Sequence, residues 1–189
     1  MNHALHSQTE LKNILFNSDN SLIKKTALIL AGALLLAIAS QISIPLQPIP
    51  LTFQSVTVVL IGMAFGPRYG TYAIACYLFA GAMGLPVFAD FTPGFIAFKG
   101  PTIGYILGFL PAAFLSGYLA QKGLAKSVIG SFIAATLGVS VIFFFGVTIL
   151  SQFIGMEKAI SLGLMLFIFT EPFKLLAAAF VIPRLWKQI

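Results

Sequence analysis

Residues 26–67 read TALILAGALLLAIASQISIPLQPIPLTFQSVTVVLIGMAFGP and contain no charged side chain. This stretch is too long for one membrane span, since about 20 apolar residues, rising 1.5 Å each, cross the hydrocarbon core of a bilayer. Pro45, Pro48 and Pro50 interrupt it, because each proline removes a backbone donor and restricts the residue before it. The stretch therefore predicts two membrane-spanning helices, over about residues 26–43 and 51–65, joined by a Pro-rich connection.

The composition of the whole chain agrees with a membrane protein. Hydrophobic residues make up 59% and charged residues 8% of the 189 residues, whereas about a quarter of an ordinary soluble domain is charged. Turn residues and charges divide the rest of the chain into four more spans, over about residues 70–83, 101–120, 127–154 and 159–185. We predict an all-α bundle of six transmembrane helices over residues 26–189, preceded by a cytoplasmic segment of residues 1–25.

The basic residues predict the orientation, because Lys and Arg accumulate in cytoplasmic loops. With the N-terminus inside, eight basic residues are cytoplasmic: Lys12, Lys24, Lys25, Arg68, Lys122, Lys126, Arg184 and Lys187. Only two, Lys99 and Lys158, are then external. We therefore predict a multi-pass protein of the cell membrane with both termini cytoplasmic. The net charge of +6 reports loop placement and does not indicate a nucleic acid partner.

The last predicted span contains the charged sequence TEPFK at residues 170–174. An ionisable side chain near the centre of a membrane helix costs about 2.5 to 3.5 kcal/mol on insertion scales, so such a residue indicates function. Glu171 and Lys174 share one helix face at this spacing and would present an acceptor and a donor to a common cavity. Pro172 frees a carbonyl at Ile168, which is tolerated where a helix lines a cavity. The alternative is a self-neutralising ion pair at a helix contact.

The predicted outer loops supply further candidate residues. The loop over residues 85–100 is rich in Gly and Pro and carries four phenylalanines. It would either fold over an outward-facing pocket as a lid, with Asp90 or Lys99 reaching a ligand, or pack in the lipid interface. Gln54 follows the Pro-rich connection and would direct its amide into the bundle or join two helices.

The fourth and the first predicted spans add polar groups and small residues. Thr102 and Tyr105 open the fourth span and supply a hydroxyl and a phenol. Ala33 and Ala37 on the first helix form a surface of small residues, which allows another helix to approach closely. This surface would either pack within the bundle or dock a second membrane protein.

The motifs that are missing exclude several function classes. Cys76 is the only cysteine, and both histidines, His3 and His6, lie in the N-terminal tail, so we expect no metal site. The chain has no G-x-x-x-x-G-K-[ST], H-E-x-x-H or G-x-S-x-G sequence. We therefore expect no resident cofactor and no enzyme activity, and a binding or transport function is favoured.

Five short segments carry a resemblance to a known family. They are SQISIP at residues 40–45, PIPLTFQ at 48–54, GPRYG at 66–70, GAMGLPVFA at 81–89 and GPTIGY at 100–105. These segments resemble the BioY family, the biotin-binding membrane components of energy-coupling-factor (ECF) transporters. That family usually has Asp and then Lys three residues later in the last helix, where this chain has Glu171 and Lys174. It commonly has Asn or a similar residue where this chain has Asp90.

The resemblance implies a substrate-capturing (S) component that takes biotin from the external side. It would associate with a transmembrane coupling protein and two ATPases, which power release of the vitamin inside, and Ala33 and Ala37 would face the coupling protein. In this interpretation Glu171 accepts the ureido N–H groups of biotin, and Lys174 donates to the ureido oxygen or to the carboxylate. The other predicted contacts are Asp90, Tyr105, Gln54 and Thr102.

Two other function classes stay open at this stage. The chain would act as an autonomous carrier or channel for a small organic anion or vitamin if it transported without an ATPase. It would be an intramembrane enzyme if a lipid substrate gave a product. Neither class has a motif of its own in this sequence.

Overall fold

A computed structural model describes residues 21–187 of the chain. The predicted cytoplasmic segment, with His3 and His6, lies mostly outside the described residues. Seven α-helices occur in the described part: α1 (Ser21–Gln41), α2 (Gln54–Ala82), α3 (Gly94–Ala97), α4 (Ile103–Gln121), α5 (Val128–Ile154), α6 (Met156–Ile160) and α7 (Leu166–Lys187). The prediction of an all-α protein is confirmed, apart from a two-stranded ribbon of β1 (Ser43–Ile44) and β2 (Leu51–Thr52).

Helix α2 is a hairpin of two helical arms that reverses at Gly66. This residue has φ 77° and ψ 173°, a conformation that glycine adopts without a steric penalty, and a proline follows it. In a straight helix residues 62 and 70 would lie about 12 Å apart, but a Cβ placed on Gly70 would be 2.8 Å from the Gly62 Cα. The predicted break near residue 66 is confirmed. The predicted turn over residues 66–70 was too long, because residues 67–70 already belong to the second arm.

Four helical stretches within residues 21–187 are long and apolar enough to cross a membrane. They are Leu22–Gln41, Ile103–Gln121, Val128–Ile154 and Met156–Leu185. Each arm of α2 is shorter than the roughly 20 residues that span hydrocarbon at right angles. Large apolar side chains cover the outside of the bundle; Phe173 on α7, for example, is 77% exposed. Such a surface is stable against lipid chains and not against water.

Glycines let α4 approach both of its neighbours. A Cβ on Gly117 would be 2.5 Å from the Gly62 carbonyl oxygen of α2. On the other side of α4, a Cβ on Gly104 would be 2.5 Å from the Phe145 carbonyl oxygen of α5. Small residues at helix contacts allow this separation and are typical of membrane bundles. Helix α4 is therefore the central element that fixes α2 and α5.

Two loops meet at the end of the bundle where α1 ends and α4 begins. The ribbon pairs Ser43 with Thr52 and Ile44 with Leu51, so it closes the Pro-rich loop of residues 45–50. The second loop, residues 84–100, contains a short 3-10 helix (Ala89–Phe91) and α3. Phe88 of this loop is buried and packs edge-on against Tyr77, with 5.2 Å between ring centroids.

The last predicted span, residues 159–185, lies within the helical stretch Met156–Leu185, which is not one regular helix. The chain passes from α6 through a π-helical turn (Ser161–Met165) into α7. A Cβ on Gly163 in that turn would collide with the Tyr105 hydroxyl, which donates a hydrogen bond to the Gly163 carbonyl at 2.8 Å. A π turn inside a helix is uncommon and often marks a functional site. This π turn lies about two helical turns before Pro172 and is in contact with α4.

Candidate ligand-binding site

A cavity of about 210 Å³ lies beneath the two loops. The Pro-rich loop and residues 88–92 cover it, the first turn of α2 and the start of α4 form its sides, and α5 and α7 complete the wall. Apolar side chains form much of this lining: Ile49, Phe88, Ile106, Phe109, Ile142, Phe143 and Phe167. The polar lining residues are Gln47, Thr52, Gln54, Ser55, Asp90, Thr92, Thr102, Tyr105 and Glu171. A mostly apolar cleft with a few convergent polar groups is typical of small-molecule sites.

Glu171 is the charged group at the buried side of the cavity. It is 5% exposed and forms an ion pair with Lys174 on the same face of α7. Ser55, at the start of α2, lies with its hydroxyl 3.0 Å from both carboxylate oxygens. Because an ionised carboxylate has about four acceptor positions, these two partners leave acceptor capacity on Glu171 for a ligand.

Lys174 lies behind Glu171 and is held by the end of β2 and the start of α2. Its ammonium group donates to the Thr52 carbonyl at 2.9 Å and to the Ser55 hydroxyl at 3.4 Å. The ion pair with Glu171 engages the third N–H group, and the Phe53 ring lies 5.8 Å from the nitrogen. Among the described residues that line the cavity, Glu171 is present and Lys174 is not. Lys174 therefore neutralises and orients the carboxylate that faces the cavity.

Gln54 connects the cavity to the loop above it. Its amide nitrogen donates to the Tyr77 hydroxyl at 2.7 Å, and the Tyr77 hydroxyl donates to the Val87 carbonyl at 3.0 Å. Ser40 of α1 donates to the same carbonyl at 2.6 Å. The Gln54 carbonyl oxygen accepts from Thr52 at 3.2 Å. The amide nitrogen has two hydrogens, and the bond to Tyr77 uses one of them, so one donor is left. Gln54 therefore lines the cavity and also joins the two arms of α2.

Asp90 lies at the exposed mouth of the cavity. Its backbone has φ 55°, in the left-handed region that Asp tolerates better than most residues. The Ser43 hydroxyl donates to its carboxylate at 2.6 Å. Gln41 holds the same loop, because its amide donates to the Phe88 carbonyl at 3.1 Å and accepts from the Phe91 N–H at 3.1 Å. The end of α1 thus fastens the loop over the cavity.

Tyr105 and Thr102 occupy the wall that α4 contributes. The Tyr105 ring fits into the space that Gly146 and Gly163 leave, and its hydroxyl is bonded to Gly163. Thr102 lines the cavity and makes a long contact of 3.5 Å with the Ala97 carbonyl. Tyr105 therefore presents its ring to the cavity while its hydroxyl supports the π turn before α7.

A second cavity, of about 470 Å³, lies between α5 and α7. It shares Phe143, Phe167 and Glu171 with the first cavity. The rings of Phe143 and Phe167 are in contact, with 5.3 Å between centroids. These three side chains therefore form the wall that separates the loop-covered cavity from a more apolar cleft at the side of the bundle.

Comparisons with known proteins decide the family. The BioY family model matches residues 7–189. The chain belongs to the BioY family. The biotin transporter BioY of Thermotoga maritima is 41% identical over 163 residues, which are 86% of this chain and 91% of that protein. The probable biotin transporter BioY of Pyrococcus horikoshii is 35% identical over 162 residues, covering 86% of this chain and 96% of that protein.

A solved structure extends the comparison to three dimensions. The S-component for biotin from an ECF-type ABC transporter matches with a TM-score of 0.82 and 26% sequence identity, over 91% of this chain and 95% of that chain. The BioY family and these relatives are transporters and not enzymes, so the predicted absence of enzyme activity is confirmed. A transporter with several apolar helices is a multi-pass membrane protein.

The structure of this BioY protein brings most of the predicted site residues together. Five of the six predicted contacts line the cavity: Gln54, Asp90, Thr102, Tyr105 and Glu171. The sixth, Lys174, supports Glu171 from behind. Ala33 and Ala37 are half-buried and pack against the core of the bundle. Their contact with a coupling protein, like every ligand contact named here, stays a prediction.

Sequence reasoning missed the residues that hold this BioY site in place. Ser55 joins both members of the charged pair, and Tyr77, Ser43 and Gln41 link the loops to the helices. One signal was available for Ser55, because the polar run of residues 52–57 interrupts an otherwise apolar stretch. Gln41 and Ser43 lie in the SQISIP segment that resembles the family, but nothing in the local sequence indicated that they hold the loop, and nothing distinguished Tyr77.

Proposed function

We propose that this chain captures biotin from outside the cell as the S component of an ECF-type transporter. The observation that carries the proposal is the loop-covered cavity with Glu171 in its buried wall, in a member of the BioY family. Biotin has two ureido N–H donors, an apolar ring and chain, and a carboxylate. The cavity offers a buried acceptor for the donors and aromatic walls for the apolar part.

The proposed orientation of biotin follows from the charges. A ureido N–H donates to the free acceptor positions of Glu171, because a hydrogen bond to a charged group is stronger than a neutral one. The opposite orientation would place the biotin carboxylate beside the Glu171 carboxylate, while all three Lys174 N–H groups are engaged. The ureido ring therefore lies at Glu171 and the carboxylate points to the mouth. Lys174 acts through Glu171.

The proposed topology has six spans with both termini cytoplasmic. The six spans are α1, the two arms of α2, α4, α5 and the stretch from α6 to α7. Each arm of α2 is then a tilted or shortened span. In this orientation the loops that cover the cavity face outside, where biotin is captured. Arg68 and Lys122 lie at the opposite end, and the predicted excess of basic residues there is what the cytoplasmic side requires.

The proposed partners are a transmembrane coupling protein and two ATPases. We propose that α1 contacts the coupling protein, because only 17% of its most apolar segment is buried within this chain. Its small residues Ala33 and Ala37 lie beside exposed Leu34 and Ile38. We expect Ile38→Trp to leave biotin binding unchanged and to abolish ATP-driven uptake in the reconstituted complex. Uptake at the parent rate by this variant would exclude α1 as the contact.

Equilibrium binding of biotin to the purified protein tests the site. We expect Glu171→Gln to weaken binding about 10- to 100-fold, since a hydrogen bond to a charged group contributes about 1.5 to 3 kcal/mol. We expect Lys174→Met to weaken binding to a similar extent, because Glu171 is then buried without its counter-ion. Glu157→Gln, which removes an exposed acid outside the cavity, is the matched control. Unchanged affinity in both site variants would exclude this site, and no binding by the parent would exclude the function.

Uptake of labelled biotin into liposomes separates this function from an autonomous carrier. We expect no uptake by this chain alone and uptake only when the coupling protein, the ATPases and ATP are present. Uptake by the chain alone at a similar rate would show a carrier that needs no ATPase.

A further inference from the structure

We infer that Asp90 makes this site bind biotin amides, in which the carboxyl group forms an amide, more tightly than biotin with a free carboxylate. The inference rests on the proposed function and concerns the substrate class of the same cavity. Glu171 and Asp90 are both lining residues, at the buried side and at the exposed mouth. The lining residues within the described part of the chain therefore include two acids and no lysine or arginine.

The cations nearest to the cavity do not compensate Asp90. Lys174 is engaged by Glu171, Ser55 and the Thr52 carbonyl, and it is not a lining residue. Lys99 belongs to the same outer loop as Asp90 but is not among the residues that line the cavity. The partner of Asp90 is a neutral hydroxyl, that of Ser43. A hydroxyl holds the carboxylate in place without cancelling its charge.

The backbone at the mouth offers few donors to an anion. Three of the six residues from 45 to 50 are prolines, which have no N–H. The Phe91 N–H donates to the Gln41 side chain, and the Thr92 N–H donates to the Ala89 carbonyl. The donors at the mouth are the backbone N–H groups of Gln47 and Ile49 and side chains such as Gln47 and Thr92, and all of them are neutral. None of these donors cancels the charge of Asp90, so the mouth suits an amide N–H or a cation better than an anion.

The positions of Glu171 and Asp90 imply that Asp90 acts on the carboxyl end of biotin. With the ureido ring at buried Glu171, the chain of biotin runs toward the mouth, where Asp90 lies. A free carboxylate there is repelled by Asp90, whereas a neutral amide is not. Because Asp90 is exposed to solvent, the repulsion is reduced by added salt. The predicted preference is therefore both dependent on Asp90 and sensitive to salt.

Binding of three ligands with the same ring system tests the inference. They are biotin, biotinamide and N-(2-aminoethyl)biotinamide, whose tails carry a negative, a neutral and a positive charge. At low salt we expect the parent to bind biotinamide about three- to tenfold more tightly than biotin, and the amine at least as tightly as biotinamide. Asp90→Asn should tighten biotin binding and remove most of this difference. About 1 M salt, where the screening length is about 3 Å, should have the same effect on the parent.

Two further variants identify the cause. Asp90→Glu keeps the charge and should keep the preference, and Glu157→Gln removes an acid outside the cavity and should leave the preference unchanged. The salt series needs no variant, so it decides the question if Asp90→Asn does not fold. Equal affinities of the parent for biotin and biotinamide, or a preference unchanged in Asp90→Asn and in high salt, would overturn the inference while leaving the proposed function intact. Failure of the monodisperse parent to bind any of the three ligands would instead exclude the proposed function.

Discussion

The interior of the bundle contains two buried clusters with different side chains. The alanine-rich cluster lies between the first arm of α2, the end of α4, the start of α5 and α7, and it contains Ala120, Ala125, Ala134, Ala135 and Ala178. The second cluster is larger and reaches the two loops; it also contains alanines, but it is called the aromatic cluster because it includes the buried rings of Tyr77, Phe88, Tyr105, Phe109 and Phe167. Small residues let helices pack closely, whereas large rings set at steep angles leave space between them.

The two clusters have different roles: the alanine-rich cluster makes the bundle rigid, and the aromatic cluster surrounds the binding cavity. In the close-packed region the buried polar groups bond to backbone carbonyls; Ser116 of α4, for example, is fully buried and contacts the Ala113 carbonyl of its own helix and the Val59 carbonyl of α2. Around the cavity the polar groups connect different elements, as Ser55 connects α2 to α7. A ligand in the cavity can therefore affect several elements at once, while the close-packed helices hold the cavity walls in place.

The largest effect should come from breaking the close-packed region. We expect Gly62→Leu to prevent formation of a stable bundle, because a Cβ at this position would already be 2.5 Å from the Ser116 hydroxyl and 2.9 Å from the Ala113 Cα. The measurement is the yield of monodisperse protein and its melting temperature. Ala177→Leu adds the same side chain to an exposed position on α7 and should melt like the parent. A stable Gly62→Leu protein would refute the view that this contact is rigid.

A smaller effect, confined to binding, is expected for Ser55→Ala. The change removes the hydroxyl that joins Glu171 to Lys174 while leaving the ion pair. We expect biotin affinity to fall about tenfold, since one hydrogen bond to a charged group is lost. Ser55→Thr restores the hydroxyl and should recover most of the affinity, as measured by titration calorimetry. An affinity of Ser55→Ala equal to that of the parent would mean that Lys174 alone positions Glu171.

Tyr77→Phe should weaken the connection between the cavity and the loop above it. The ring that packs on Phe88 is kept, but Gln54 loses its acceptor and Val87 loses one of two donors. We expect biotin to dissociate about two- to fivefold faster, because a typical hydrogen bond contributes about 0.5 to 1.5 kcal/mol. Stopped-flow measurement of dissociation checks this. A change in melting temperature with no change in the dissociation rate would assign Tyr77 to stability alone.

The smallest effect is expected for Tyr105→Phe. The ring stays in the space between Gly146 and Gly163, and only the hydrogen bond to the π turn is lost. We expect the free energy of unfolding to fall by about 1 kcal/mol, with biotin affinity within about threefold of the parent. Tyr118→Phe, at a 43% exposed position of the same helix, should show no change in either measurement. A loss of affinity greater than tenfold in Tyr105→Phe would instead place its hydroxyl in direct contact with the ligand.

Short-range features of this protein were predictable from the residues. The charge-free stretch and the Pro-rich connection predicted helices and their interruption, because the membrane requires apolar spans and proline ends a regular hydrogen-bond pattern. The spacing of Glu171 and Lys174 predicted that the two side chains share one helix face, because residues three apart do so. The π turn at residues 161–165 was not predictable, since a contact with Tyr105 on another helix supports it.

Contacts between distant residues could not be predicted in the same way. Ser55 and Glu171 are 116 positions apart, and their hydrogen bond depends on how α2 packs beside α7. The two loops were predicted as loops, but only the packed structure places residues 45–50 and 88–92 over one cavity. The small-residue surface of Ala33 and Ala37 allowed packing inside or outside the bundle, and the structure places it against the core.

The sequence by itself determined that this protein lies in a membrane, where its helices begin and end to within a few residues, and that the last helix carries a charged pair. Hydrophobicity, proline and helical spacing act over short distances, so these features do not depend on the rest of the fold. Only the tertiary structure decided that Glu171 faces the cavity while Lys174 lies behind it. The two residues share one helix face, so their roles depend on which neighbours bond to each of them. Packing of α7 against Thr52 and Ser55 supplies the partners of Lys174.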